Sequence, residues 1–104
     1  MTEADLLRAL RDCYDPALRR DIVSLGLVES ATLSPDRDAP GAGVRGLAPR
    51  FIAHIVLRAP GSDELHNAQL QAQIENRLAG IPELSRSEVK LLPGLFSILN
   101  PRQV

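Results

Sequence analysis

The chain has 104 residues, enough for one domain, and its apolar (44%) and charged (24%) fractions are those of an ordinary globular protein. The net charge is −1, and the basic residues are scattered arginines apart from Lys90. Aromatic residues make up only 3% of the chain. This composition argues against a nucleic-acid partner, which requires a clustered basic footprint and favours aromatic rings on which bases stack.

The N-terminal residues, the apolar runs and the cysteine content indicate the cellular compartment in which the protein is expected. Residues 1–5 are acidic, unlike a signal peptide, and no apolar run approaches the ~18 residues of a membrane span. Cys13 is the only cysteine, so an internal disulfide is excluded and a reducing compartment is favoured. We therefore expect a cytoplasmic protein without a membrane partner, folded as one domain over residues 1–104.

A first helix is predicted over residues 3–13. Thr2 and Asp5 have the spacing of a capping box, and apolar residues recur at helical spacing as far as Cys13. Asp15-Pro16 should end this helix, because a residue before proline is pushed out of the helical region. Cys13 then lies on the apolar side of the helix end, where a buried structural cysteine is favoured over a nucleophile or a metal ligand.

Two strands should follow, separated by a long loop. The apolar stretch from Ile22, with Gly26 at a bend, leads into a predicted strand over about 27–33. Residues 34–50 hold three prolines and three glycines, which indicates a long exposed loop. The stretch RFIAHIVLR, residues 50–58, alternates as a strand does. Its helix-facing side should carry Phe51, Ala53, Ile55 and Leu57, and its other side Ile52, His54, Val56 and Arg58.

A second helix is predicted from an N-cap at Ser62 to about Ala79. Leu70, Ile74 and Leu78 form its apolar stripe, and His66 is expected to be solvated in its first turns. A last strand over 85–92 precedes an apolar tail, residues 93–104, without a clear period. The order helix, strand, strand, helix, strand predicts an α/β protein of the α+β two-layer type, in which two helices cover a small sheet of about three strands.

The stretch ALRDCYDPALRRDIVSLGLV, residues 9–28, resembles the N-terminal signature of the PaaD-like iron–sulfur cluster assembly domain, a family that includes SufT-like accessory proteins. That signature runs roughly D-P-E-x-x-x-x-I-V-D-L-G-L-I. The matching or conservatively replaced positions are Asp15, Pro16, Ile22, Val23, Leu25, Gly26, Leu27 and Val28. The family's layout of strand, turn, helix and final strand continues to about residue 92. The resemblance implies a small α/β fold and a role in iron–sulfur cluster assembly.

The chain also departs from the family pattern. Family members commonly carry Cys-Pro at the turn after the central strand, where this chain has Ser62 and Asp63. Ala17 replaces the acid after D-P, and Ser24 replaces the Asp before L-G-L. A serine hydroxyl is a poor ligand for soft iron–sulfur chemistry. The functional face that the resemblance implies comprises Asp15, Pro16, Asp21, Ala59, Ser62 and Asp63.

Three hypotheses follow for the function. The first is a non-catalytic adaptor in iron–sulfur cluster assembly or delivery, which contacts assembly or recipient proteins through the 34–50 loop and the tail. The second is a transient carrier of iron or an iron–sulfur cluster, held by Cys13 across a homodimer; the tail could equally close such a dimer. The third is a small hydrolase or transferase that uses Asp15 with Ser62 or His66. The sequence itself assigns no catalytic residue and no metal ligand set.

Overall fold

The computed structural model of the chain describes residues 1–39, 41, 43–47, 49–59 and 63–92. In chain order it contains the helix α1 (Glu3–Leu10), the strands β1 (Val28–Pro35) and β2 (Phe51–Arg58), the helix α2 (Glu64–Ala79) and the strand β3 (Leu84–Leu92). The predicted order and the α+β class are confirmed. The tail 93–104 and Ser62 lie outside the described residues.

The strands form a sheet in the order β1-β2-β3. β1 and β2 are antiparallel, whereas β3 runs parallel to β2 and is reached through α2. The predicted inward side of β2 is confirmed at Ala53, Ile55 and Leu57, which are buried in one cluster with residues of both helices. Ile52 points to the other side, yet it is only 8% exposed, so that side is partly covered near the start of β2.

The core is aliphatic, as the scarcity of aromatic residues requires. The predicted stripe of α2, Leu70, Ile74 and Leu78, is at most 1% exposed, and Leu6 and Leu10 of α1 pack into the same cluster. Burying side chains of this size contributes roughly 1.5–3 kcal/mol each. Within the described residues, neither helix is long and apolar enough to cross a membrane.

The first helix begins as predicted but ends three residues early. The capping box is present, because the Thr2 side chain accepts from the Asp5 N–H and the Asp5 side chain accepts from the Thr2 N–H. The helix ends at Leu10, after which the N–H groups of Asp12 and Cys13 bond to carbonyls only three residues back. Such tighter turns are common at the ends of helices, and they carry the chain to Cys13.

The second helix is capped by Asp63, so the predicted N-cap at Ser62 is wrong. The Asp63 carboxylate accepts hydrogen bonds from the backbone N–H groups of Leu65 and His66, at 3.0 and 3.2 Å. Aspartate and serine are equally suited to this position, so the sequence did not distinguish the two neighbours.

The bend predicted at Gly26 is confirmed, and the stretch from Ile22 to Gly26 forms a turn that leads into β1. The Leu27 N–H donates to the Ile22 carbonyl and the Gly26 N–H to the Val23 carbonyl, each at 3.0 Å. Gly26 has a φ of 74°, a left-handed conformation. Together with the two hydrogen bonds, this conformation defines a Schellman motif. Because this turn stops the backbone from pairing, β1 begins only at Val28.

The loop between β1 and β2 is shorter than predicted. β1 continues through Ser34 and Pro35, which pair with Ile52 and Phe51, so the loop comprises residues 36–50. Its base is closed by the Asp36 N–H, which donates to the Arg50 carbonyl at 2.9 Å.

We predict that Gly26→Ala lowers the free energy of unfolding by about 1 kcal/mol, because alanine is strained at positive φ. No atom lies within 4 Å of the Cβ that alanine would add, so the cost comes from the backbone and not from a clash. Gly80→Ala is the matched control, since Gly80 ends α2 with an ordinary φ of −82°. Urea unfolding of both variants should show a loss only for Gly26→Ala; equal losses would contradict the assignment.

Candidate functional site

The segment around Asp15-Pro16 is a closed loop, here named the DP loop (residues 14–21). Tyr14 and Asp21 form an antiparallel bridge at its base. The Asp15 N–H donates to the Arg20 carbonyl at 2.9 Å, and the Arg19 N–H donates to the Asp15 carbonyl at 2.8 Å. Arg19 has a φ of 58°, a left-handed conformation that reverses the chain within the loop.

The centre of the DP loop is the Asp15 carboxylate, and Asp15 is only 1% exposed. Its Oδ1 accepts from the backbone N–H groups of Ala17 and Leu18, at 2.8 and 2.9 Å. Its Oδ2 lies 3.0 Å from Nε2 of His66 on α2. This buried carboxylate is therefore satisfied by three donors, two from its own loop and one from a helix 51 residues further along the chain.

The surroundings of the pair determine the ionisation state of Asp15. Burial raises the pKa of Asp15, but the hydrogen bonds from Leu18, His66 and Ala17 outweigh burial and hold that pKa below its usual value. Asp15 is thus an ionised acceptor at neutral pH. A neutral His66 must carry its proton on Nε2, which leaves Nδ1 as the acceptor. The His66 side chain is 20% exposed, so the expectation that it is solvated is wrong.

α2 holds the DP loop at further points on the same helix face. Gln73 lies seven residues after His66; its Oε1 accepts from the Tyr14 N–H at 2.8 Å, and its Nε2 donates to the Tyr14 carbonyl at 2.9 Å. One turn later, Arg77 Nε donates to the Asp12 carboxylate at 3.0 Å. Sequence reasoning missed Gln73 and Arg77. The signal that could have found them is helical spacing: Gln73 lies seven residues after His66 and Arg77 four residues after Gln73, so all three share one face of α2.

Two predicted site residues meet at His66. Asp63 accepts from the His66 backbone N–H at 3.2 Å, and Asp15 accepts from its ring. Asp21 lies at the base of the DP loop, where hydrogen bonds from Ser24 lower its pKa.

The remaining predicted site residues lie around this centre. Pro16 is exposed on the DP loop, and Ala59 is buried just after β2. Ser62 is outside the described residues, so its distance from Asp15 and His66 stays untested.

Cys13 lies in the hydrophobic core, with none of its surface exposed. Burial raises the pKa of its thiol to about 11, a shift that the nearby Arg77 only partly opposes. Within the described residues, no three His, Cys, Asp or Glu side chains come close enough together to hold a metal ion. The described part of the chain therefore offers no ready set of ligands for iron, and its one thiol is enclosed.

Three large exposed side chains belong to residues that neighbour the Asp15–His66 pair, either along the chain or through a backbone hydrogen bond. Tyr14 and Leu18 on the DP loop and Leu65 beside His66 are at least half exposed, although all three are large and apolar. We name these three residues the DP surface. Large apolar side chains exposed to solvent are typical of protein interaction sites where they form a patch.

Comparisons with known proteins bear on the class of this domain. No family model matches the chain. It is 33% identical over 86 residues to the iron–sulfur cluster carrier protein of Deinococcus radiodurans, an alignment that covers 73% of this chain and 25% of that protein. The chain thus spans a quarter of the length of the curated relative that it matches.

Two solved structures share the fold. The crystal structure of a domain of unknown function, DUF59, from Bacillus anthracis matches with a TM-score of 0.67 and 24% identity, over 86% of this chain and 73% of that one. A Mycobacterium tuberculosis protein associated with iron–sulfur complex assembly and repair matches with a TM-score of 0.56 and 20% identity, over 86% and 66%. The chain has the fold of the DUF59 domain. This shared fold and the sequence match to an iron–sulfur cluster carrier protein support the resemblance to the PaaD-like domain.

Asp15→Asn should lower the free energy of unfolding by roughly 1–3 kcal/mol at neutral pH, because the amide presents an N–H donor where the site needs acceptors. Asp12→Asn is the control: Asp12 is an exposed ion-pair partner of Arg77, and its loss should cost less than about 1 kcal/mol. Urea unfolding of the wild type and both variants measures these costs.

The same variants test the pH dependence. Because the pKa of Asp15 is lowered in the folded state, its ionisation stabilises the protein above the unfolded-state pKa, and this contribution is lost as the pH falls through the folded-state value. The difference in unfolding free energy between wild type and Asp15→Asn should therefore hold from about pH 7 to about pH 5 and narrow as the pH falls below about 4. A difference that does not narrow at acid pH would contradict the buried carboxylate.

Cys13 should react slowly with thiol reagents in the folded protein. A pKa of about 11 in place of 9.0 lowers the thiolate fraction at neutral pH about 100-fold. Enclosure in the core slows the reaction further. Stopped-flow measurement with a chromogenic disulfide should show a rate that rises steeply in urea; rapid reaction in native buffer would show that the thiol is accessible.

Proposed function

We propose that this chain is a domain that assists iron–sulfur cluster assembly or delivery, and that it does so by contacting other proteins through the DP surface. The sequence match to a carrier protein and the shared fold support the pathway. The observation that carries the mode of action is the DP surface itself, whose exposed apolar side chains belong to residues next to the hydrogen-bonded Asp15–His66 pair.

The enclosed thiol argues against this domain as an autonomous carrier. Iron–sulfur clusters are held by thiolates, and Cys13 is fully buried with a raised pKa. A homodimer bridged through two copies of Cys13 would require the core to open. The curated carrier is four times longer than its match to this chain, so that match does not assign the cargo site to this portion.

The Asp15–His66 contact satisfies one requirement of the hydrolase hypothesis, since the two side chains are 3.0 Å apart. Its environment favours a positioning role. Both Asp15 oxygens are already engaged by donors, and His66 sits against a carboxylate that is itself shut off from solvent. In this proposal the hydrogen bond between Asp15 and His66 fixes the position of the DP loop against α2. The Nδ1 atom of His66 accepts a hydrogen bond from the partner protein.

A complementation experiment tests the proposal. Deleting the gene should lower the activity of iron–sulfur enzymes in the source organism, and the wild type and Cys13→Ser should both restore it. Leu18→Asp places a charge on the DP surface without touching the core, so it should fold normally and fail to restore activity. Thr32→Asp, an exposed position on β1, is the matched control and should behave as the wild type.

A binding measurement separates the adaptor from the carrier. Anaerobic incubation with iron and sulfide should leave the wild type without stoichiometric metal or charge-transfer absorption. A photo-crosslinker at position 18 should capture identified iron–sulfur assembly or recipient proteins, and one at position 32 should not. Stoichiometric cluster lost in Cys13→Ser would instead establish the carrier, and full activity of Leu18→Asp would exclude the DP surface.

A further inference from the structure

The side of the sheet turned away from the buried core, here named the outer face, carries a polar line across all three strands. Ser34 on β1, His54 on β2 and Glu88 on β3 are joined by two contacts. Ser34 Oγ lies 2.7 Å from His54 Nε2, and His54 Nδ1 lies 3.1 Å from Glu88 Oε1.

The atoms of this line are arranged as in serine hydrolases. A hydroxyl meets one ring nitrogen of a histidine, and a carboxylate meets the other. Glu88 accepts a hydrogen bond from Nδ1–H and so favours the tautomer that leaves Nε2 free to accept from Ser34. Triads of this kind are recognised by geometry and roles and occur on unrelated folds. Sequence reasoning did not find this line, because its three residues lie on three different strands that are far apart along the chain.

The register supplies two further features. Ser34 pairs with Ile52, which pairs with Arg86, so a cation lies on the same row of the outer face as the hydroxyl. Arg86 is held near the line, with its guanidinium 3.7 Å from Glu88 Oε2. Ile52 between them is only 8% exposed, and Ser34 and His54 are themselves half-buried. The Ser34 hydroxyl therefore lies at the end of the outer face where the side chains are least exposed to solvent.

We propose that Ser34 is a nucleophile activated by His54 and Glu88, and that the outer face takes small activated esters by acyl transfer. Ser34 Oγ attacks the ester carbonyl carbon while His54 Nε2 takes the hydroxyl proton. The carbon–oxygen bond to the leaving alkoxide breaks, and His54 returns the proton to it. Water then attacks the carbonyl carbon of acyl-Ser34 while His54 Nε2 takes a proton from that water. The bond between the acyl carbon and Ser34 Oγ breaks, His54 returns the proton to Oγ, and the carboxylic acid leaves.

In this proposal Glu88 is a positioning residue, and Arg86 stabilises the negative charge on the carbonyl oxygen. The line lies on the side of the sheet opposite the buried cluster that α2 joins, and it shares no residue with the DP surface. The activity is therefore independent of the function proposed above.

A fluorophosphonate probe tests the nucleophile directly. Ser34 Oγ should displace fluoride from phosphorus, with loss of its proton, and leave a phosphonyl adduct that peptide mass spectrometry locates at Ser34. Release of p-nitrophenol from p-nitrophenyl acetate gives the rate. Ser34→Ala and His54→Gln should lower that rate at least about 100-fold, and Glu88→Gln should lower it at least about tenfold.

Ser30→Ala is the matched control, since Ser30 lies on the same strand and the same face but has no contact with His54 among those described. It should retain the adduct and the rate. Circular dichroism of each variant checks the fold. Absence of an adduct at Ser34, or an adduct that forms equally fast in His54→Gln, would overturn the proposal and leave the line as a cross-strand hydrogen-bond ladder.

Discussion

The buried carboxylate of Asp15 is the constraint on which the rest of the site depends. An ionised group removed from water without partners is very costly, and a buried pair that loses one partner is destabilised by about 3–5 kcal/mol. Here the cost is offset by two backbone N–H groups of the DP loop and by the His66 ring. The loop can be closed around Asp15 only if α2 is in place, so two distant segments are ordered together.

The same contact explains why the apolar surface and the enclosed thiol occur together. With His66, Gln73 and Arg77 holding the chain from Asp12 to Asp15, the residue between these contacts, Cys13, is pressed into the core. The DP loop must then turn outward, which exposes Tyr14 and Leu18. A fold that opened Cys13 for ligation would have to release these contacts on α2, and it would dismantle the DP surface in doing so.

Sequence reasoning succeeded where the signal was local and periodic. The capping box at Thr2, the alternation of β2 and the stripe through Ile74 each depend on residues a few positions apart. At Ile22–Gly26 it predicted the bend at Gly26 but not the Schellman turn, because an apolar run containing one glycine does not specify a turn type. The contact between Asp15 and His66 has no local pattern at all, since it is created by the packing of α2 against the DP loop.

The departure that the resemblance implies at Asp63 falls on a residue with a clear structural role. By resemblance, Ser62 and Asp63 stand where Cys-Pro is common. A proline at 63 would have no side-chain acceptor, whereas Asp63 binds the N–H groups of Leu65 and His66 and sets the first turn of α2. That turn places His66 over Asp15 and Leu65 at the surface. The residue that stands in place of the proline therefore helps to build the DP surface, so in this chain the start of α2 positions groups that a protein partner can contact.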